Sequence, residues 1–336
     1  MNVPRNHGSS RIRLIVFGLI LLAGISANAQ TCLTSGDMDE PTRSALVSTA
    51  MRYFDMAARG DSADLRLNAI ASLTADFSGI ESAVKDNQTG LAGAQPTARQ
   101  PFLLKAEGKE PLARAEFLCG VFGKDGQTAN SAEFVIPTLP PGNYGVVSFD
   151  VASSKGPYVV TFVLQQQGSD WKMGGFYVNA PVKGHDGKWF AEQARAFKAK
   201  GANHNAWFYY LQARQLLVPV PFMETQITDK LDDEFQNAKP ADFPSGNTVD
   251  LSAAGKVYKL TALFPLSVGQ DFDLVVKYAS ADVSNTAQTF QENTAVMKAL
   301  VTRYPEFRDA FDGVVARAVE PSGKDYGSLM AMKDIK

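Results

Sequence analysis

Residues 158–180 read YVVTFVLQQQGSDWKMGGFYVNA: two apolar runs around the tight polar turn Gln167-Gly168-Ser169-Asp170. β-Branched and aromatic runs flanking such a turn predict a β-hairpin. Side chains alternate along a strand. Tyr158, Val160, Phe162 and Leu164 therefore share one face, and Val159, Thr161 and Val163 the other. On the return strand, strict alternation sets Trp171, Met173 and Tyr177 against Phe176 and Val178. Both faces are apolar in the middle, so neither can be left to water. One face must meet helices. The other must be covered by another part of the chain or line a cavity.

The surrounding pattern supplies the helices. In PTRSALVSTAMRYFDMAARGD, residues Leu46, Ala50, Tyr53, Phe54 and Ala57 recur at helical spacing. Gly60 is placed to stop that helix, and Asp61 to start the next, ADLRLNAIASL. The string Arg59-Gly60-Asp61, an integrin-type tripeptide, is read as this stop and start. A third helix is expected over 78–86, followed by a polar loop, DNQTGLAGAQPTARQ. Strands are then expected over 113–122, 132–136, 144–152, 158–166 and 171–179. Three helices followed by five antiparallel strands give an α+β fold, with helices packed on a curved antiparallel sheet, over residues 39–180.

The helix ending YFDMAARGD and the closing hairpin VTFVLQQQGSDWKMGGFYVNA together resemble the nuclear-transport-factor-2-like superfamily. The resemblance covers about 140 residues. It implies a cone-shaped domain whose bent sheet wraps around helices. That superfamily hosts isomerases, dehydratases and cyclases as well as non-enzymatic adaptors, so the likeness implies a fold and leaves the function open.

Residues 187–219 predict two helices broken at Gly201, with Phe190, Ala194 and Phe197 on one stripe and Ala206, Tyr210, Ala213 and Leu217 on another. The spacing of Ala194, Phe197, Gly201, Ala206, Tyr210 and Ala213 resembles a single tetratricopeptide-type helical hairpin. One such repeat cannot bury its own faces and must dock on a neighbour. Trp207 and Leu211 are candidates for that contact, and Trp207 is the candidate for an aromatic binding platform. The Pro/Gly-rich residues 236–255 read as a linker. Residues 256–336 read as a small α+β module: alternating strands around Tyr258 to Phe264 and Phe272 to Tyr278, a helix over 286–303, and two closing strands.

The chain opens with Arg5, Arg11 and Arg13, the apolar run LIVFGLILLAGI and an A-x-A site ending at Ala29. This is the pattern of a signal peptide, residues 1–29, cleaved after Ala29, which implies a periplasmic or secreted protein. No later segment is apolar enough to span a bilayer. Removing three arginines and no acid leaves 30 Lys+Arg against 35 Asp+Glu, a formal charge of −5. That balance excludes the basic footprint of a nucleic-acid binder. Two cysteines in an exported chain, Cys32 and Cys119, favour one disulfide, with two free thiols and lipidation of Cys32 as alternatives.

The chemistry is sparse. After the signal only His185 and His204 remain, both expected in loops, and no H-E-x-x-H, C-x-x-C, G-x-S-x-G or phosphate-loop motif occurs. No metal or cofactor is expected. Proton transfer near neutrality would need a His or a carboxylate of raised pKa; the weak catalytic candidates are Glu133 and Asp150 in the strand region. Tyr144, Phe162, Trp171, Met173 and Tyr177 are the candidates for a ligand-binding surface on the hairpin and its neighbour. Two readings compete. One is a non-enzymatic adaptor contacting an envelope protein or a second copy of itself. The other is a protein, binder or enzyme, that takes a small apolar ligand into the cone.

Overall fold

The computed structural model describes residues 30–336 apart from 125, 130, 245, 269 and 270. The signal-peptide expectation, residues 1–29, lies outside the described residues. The first half opens with β1 (Gln30–Leu33), α1 (Glu40–Arg59), α2 (Ser62–Leu67), α3 (Ala71–Thr74) and α4 (Ser78–Leu91). The short β2 (Gln95–Ala98), β3 (Phe102–Ala106), β4 (Leu112–Cys119), β5 (Phe122–Gly123), β6 (Gly126–Gln127) and β7 (Ala132–Leu139) follow. Three long strands close this half: β8 (Gly142–Ser153), β9 (Gly156–Gln167) and β10 (Asp170–Asn179). The mixture of helices and antiparallel sheets is α+β, as expected.

Helix α1 forms for the reasons its sequence carries. Asp39 caps it by accepting the Thr42 amide at 2.7 Å, Pro41 sits in the first turn, and Gly60 ends it at φ 81°, a left-handed conformation that glycine adopts without a Cβ clash. Its buried stripe is Leu46, Ala50, Tyr53, Phe54 and Ala57. With Val84 and Leu91 of α4, this stripe packs on Phe149, Val160, Phe162, Met173 and Phe176 of the sheet.

The strands do not form the single five-stranded sheet expected. A six-stranded sheet runs β1-β3-β8-β9-β10, with β2 also paired to β8. β4 and β7 belong to a separate three-stranded sheet, completed by β11 (Met223–Thr225) from the second half. The break is local chemistry. Pro137 and Thr138, at φ 51°, near the end of β7, and Pro140 and Pro141 between β7 and β8, interrupt the backbone, so the chain cannot ladder straight on. The places left open are taken by β2 and β3, partly drawn from the stretch read as a polar loop. Pro96, with no amide to donate, is tolerated because β2 is a short edge strand. A disulfide between Cys32 of β1 and Cys119 of β4 ties the two sheets together, with Cα atoms 5.1 Å apart.

The second half contains α5 (Gly187–Ala199), α6 (Asn203–Leu217), β11, α7 (Gln226–Gln236), β12 (Val249–Ala253), β13 (Lys256–Val268), β14 (Asp271–Ala279), α8 (Thr286–Arg303), β15 (Gly313–Val319) and β16 (Asp325–Ala331). β12 to β16 form a five-stranded sheet in sequence order; β14 and β15 are parallel across the α8 crossover and the other pairs are antiparallel. The residues read as a linker hold α7's final residue and all of β12. Ala238 and Phe243 within that stretch are buried.

The helical hairpin and the C-terminal sheet, expected as separate modules, share one core. Phe190 and Tyr209 meet Phe272 edge-on at 5.2 and 5.4 Å, and Phe208 meets Phe311 at 5.6 Å. These rings make the centre of the docking contact, and Trp207 and Leu211 pack against the same core, Trp207 stacking on Phe235 of α7 at 3.6 Å. The two halves meet where Asn179 Nδ2 donates to the Leu216 and Val218 carbonyls.

Two stability predictions follow from this geometry. A Cβ on Gly187 would lie 2.6 Å from Leu217 Cγ and 2.8 Å from the Ala213 carbonyl. Gly187→Ala should destabilise by about 1–3 kcal/mol, the range for overpacking, read as a lower urea midpoint at unchanged slope. Replacing both cysteines by serine reopens an 87-residue separation. The chain-entropy model puts that loss at about 4 kcal/mol, and urea titration of the oxidised and serine forms measures it.

Candidate functional site

The β9–β10 hairpin is apolar on both faces, but not in the pattern strict alternation gives. Register shifts between Met173 and Gly175, so Met173 opposes Leu164, Phe176 opposes Phe162 and Tyr177 opposes Thr161. One extra residue, Gly174, enters β10 as a bulge, and a one-residue slip exchanges the faces beyond it. Phe176 therefore joins Trp171 and Met173 on the helix side. Tyr177 moves to the opposite face beside Val163.

That opposite face is covered by the three-stranded sheet. Leu104, Tyr144, Val146, Phe117 and Phe134 are buried between the two sheets. Packing there is incomplete. A cavity of about 250 Å³ remains. Leu104, Tyr144 and Val146 of the six-stranded sheet and Ile136 and Leu139 of β7 line it, with Phe222, whose ring lies 6.0 Å from that of Tyr177. Ile70, Ser72 and the bulge residue Gly174 also line it.

The polar groups of this cavity are few and are held in place. Tyr144 donates its hydroxyl to the Pro140 carbonyl at 2.8 Å and accepts from Gln165 Nε2 at 3.2 Å. Burial pushes the pKa of both Tyr144 and Tyr177 above the usual phenol value. Both are therefore neutral phenols near pH 7, able to donate and accept hydrogen bonds. Apolar walls with a small number of oriented polar groups are the usual composition of small-molecule sites.

The structure divides the sequence candidates. Tyr144 and Tyr177 line the cavity. Phe162, Met173 and Trp171 do not; they belong to the helix-facing core, where the Trp171 carbonyl accepts the Tyr53 hydroxyl at 2.8 Å. The cone interior that these residues were to line is filled by the side chains of α1 and α4. Trp207 lies in the other half, with the Lys239 ammonium 6.0 Å from its ring centre. Cavity residues that alternation alone did not mark are Val163, Gln165, Ile136 and Phe222. The Gly174-Gly175 pair inside a strand pattern is the sequence signal for the bulge.

The candidate carboxylates stand outside the cavity. Asp150 is gripped by Arg99 through two hydrogen bonds, 2.6 and 3.1 Å, at a cleft between the β8–β9 edge and the start of α5. Both of its oxygens are thereby engaged. Glu133 on β7 sits directly opposite Glu224 of β11. Burial, and then the charges of Glu224, Glu116 and Asp229, push its pKa up.

The histidines serve structure. His185 stacks on Trp189 at 3.9 Å. His204 lies at the start of α6, with Nδ1 2.7 Å from Glu306 and Nε2 2.9 Å from Asp242. Tyr304 donates to the other Asp242 oxygen at 3.0 Å. Burial alone would raise the Asp242 pKa, but the bonds from His204 and Tyr304 outweigh it and hold the carboxyl below its usual range. This cluster ties α6, the segment before β12 and the turn after α8. Among the described residues no group of three or more His, Cys, Asp or Glu side chains is disposed to hold a metal ion, and no helix is long and apolar enough to cross a membrane.

No family model, no curated protein and no solved structure matches the chain.

The Glu133–Glu224 pair gives a prediction of defined sign. A folded-state pKa raised above the unfolded value, about 4.3 for Glu, contributes stability below that value. The contribution is lost as pH rises through the folded value. Glu133→Gln should therefore stabilise near pH 7 by about 0.2–1 kcal/mol, the range for cross-strand pairs, and gain nothing near pH 4. Thermal melts at the two pH values test this.

Proposed function

We propose that the protein is an exported binding protein for a small, mainly apolar ligand held between its two N-terminal sheets. The observation that carries the reading is the cavity of about 250 Å³ lined by Tyr144, Val163, Tyr177 and Phe222. Its volume falls just under the roughly 300–1,000 Å³ of ordinary ligand sites. The apolar walls would contribute about 25 cal/mol per Å² of apolar ligand surface removed from water. Tyr144, Tyr177 and Gln165 would orient one polar group of the ligand. Export is supported by the charged, apolar and A-x-A pattern of residues 1–29 and by the Cys32–Cys119 disulfide, a bond that persists in oxidising compartments.

The chemistry of the lining favours binding over catalysis. The titratable groups among the described lining residues are the two tyrosines, and burial makes both weaker acids. A proton-transfer site near neutrality needs a group tuned toward pH 7. The resemblance to nuclear-transport-factor-2-like domains fits a ligand-binding role. Here, however, the cavity lies on the face of the sheet away from the helices, where the family's cone would place it among them. The disulfide gives the pocket a fixed width, because Cys32 is the strand neighbour of the cavity residue Leu104.

The neutral fluorescent probe N-phenyl-1-naphthylamine tests the reading. Saturable binding at one site per chain, with Kd on the order of 1–10 μM, is expected. Val163→Trp fills the space and should weaken binding by about tenfold or more, equivalent to about 1.4 kcal/mol, at an unchanged melting temperature. Absence of saturable binding, or binding indifferent both to Val163→Trp and to Leu139→Trp, would overturn it.

A further inference from the structure

Helices pack on one side of the C-terminal sheet; on the other, Asp273 and Val275 of β14 are buried among their strand neighbours, Phe264 and Val315 are half-buried, and Leu266 and Leu329 are exposed. Phe272, Leu274, Val276 and Tyr278 of β14 point into the core shared with α5, α6 and α8. Asp271, Asp273, Val275 and Lys277 alternate with them and point the other way. The strand registers carry this second face across the sheet. Phe264, Val275, Val315 and Leu329 are successive partners and form one apolar row over four strands. Next to it, toward the end of β14, runs Ala262, Lys277, Arg317 and Gly327. On the other side Leu266 pairs with Asp273, and Gly313 pairs with Ala331.

This face is apolar at its centre and segregated in charge along the strands. Leu329 at one end of the row and Leu266 beside it are exposed by 56% and 41%, while Val275 between them is buried. Lys277 and Arg317 occupy one end. The Lys277 ammonium lies 5.5 Å from the Phe264 ring centre, and Arg317 bonds Asp325 at the sheet's edge. Asp271 and Asp273 occupy the other end. Asp273 is buried, and its Oδ2 has no hydrogen-bond partner among the described residues.

We propose that this face docks a second copy of the chain about a two-fold axis running along the row Phe264–Val275–Val315–Leu329. The rotation lays each strand over its own counterpart, reversed in direction. The apolar row then stacks on itself, and Lys277 of one copy lies over Asp271 and Asp273 of the other. The same patch serves both copies, which is the requirement for a closed dimer. Two aligned sheets pack face to face about 10 Å apart, a separation that side chains of this size fill. Five strands at about 4.8 Å, and nine residues at about 3.3 Å, give a face of roughly 24 by 30 Å. That is about 700 Å² per copy, near the roughly 800 Å² per partner of a standard interface. The inference is independent of the cavity: it concerns the other half of the molecule.

Sedimentation velocity on the purified protein tests the inference, over about 1–100 μM, the range in which an interface of this size is expected to associate. A reversible monomer–dimer equilibrium is expected. Leu329→Lys, at an exposed position, should raise the dimer Kd by about tenfold or more with the melting temperature unchanged. Lys277→Glu should weaken the dimer, and adding Asp271→Lys to the same chain should restore it, because the swap re-forms the opposed charges across the axis. A monomer over the whole range, or a dimer indifferent to Leu329→Lys, would overturn the interface. Failure of the charge swap to restore association would overturn the axis.

Discussion

A β-hairpin with apolar side chains on both faces must be covered twice, and the first half of this protein is the solution to that requirement. Helices α1 and α4 bury Val160, Phe162, Met173 and Phe176 on one side. The three-stranded sheet covers Val163 and Tyr177 on the other. The helix side packs ring against ring, as where Phe162 and Phe176 lie 5.1 Å apart. The sheet side closes less completely, because its walls come from two sheets joined by a proline-broken connection and a disulfide. The cavity is what remains where two covalently tied but separately twisted surfaces fail to interdigitate.

The second half depends on a different constraint. A lone helical hairpin cannot bury its own aromatic residues, and here it uses the C-terminal sheet as its missing neighbour. Phe272 is the shared point, meeting Phe190, Tyr209 and Phe311 within 5.4 Å. Polar ties then fix the outer elements: Glu234 of α7 accepts from both Arg195 and Tyr210, and Arg214 bonds Asp232. With α5, α6 and α8 all on one side, no helix packs on the opposite face, where Leu266 and Leu329 are exposed. The proposed self-association is the consequence of that asymmetry.

The parts legible from sequence were those whose physics is local. Helix α1 could be read from its 3.6-residue stripe, with Gly60 at its end; its cap at Asp39 was seen only in the structure. The hairpin could be read from its polar turn, and the α+β class from the order of elements. The Cys32–Cys119 bond was favoured because two cysteines in an exported chain have one pairing. The cavity was only half legible. Tyr144 and Tyr177 line it, whereas alternation carried through Gly174 sets Tyr177 with Trp171 and Met173, which the bulge separates, and Phe162 on β9 belongs to the helix side. Residues 236–255 looked like a linker because β12 is short and its burial comes from α6 and β13, which no local periodicity records.

Sequence alone thus determined the α+β class, the apolar stripe of α1 and its stop at Gly60, and that the hairpin is apolar on both sides. Each of these follows from backbone preferences and side-chain alternation over a few residues. Tertiary structure decided what covers each face. It placed β4 and β7 in their own sheet, filled the cone with the side chains of α1 and α4, merged the helical hairpin with the C-terminal strands, and left one space beside Tyr177. These outcomes depend on contacts between residues far apart in the chain, such as Tyr177 with Phe222 or Phe190 with Phe272. Which apolar surface meets which is set by the competition among all of them for burial.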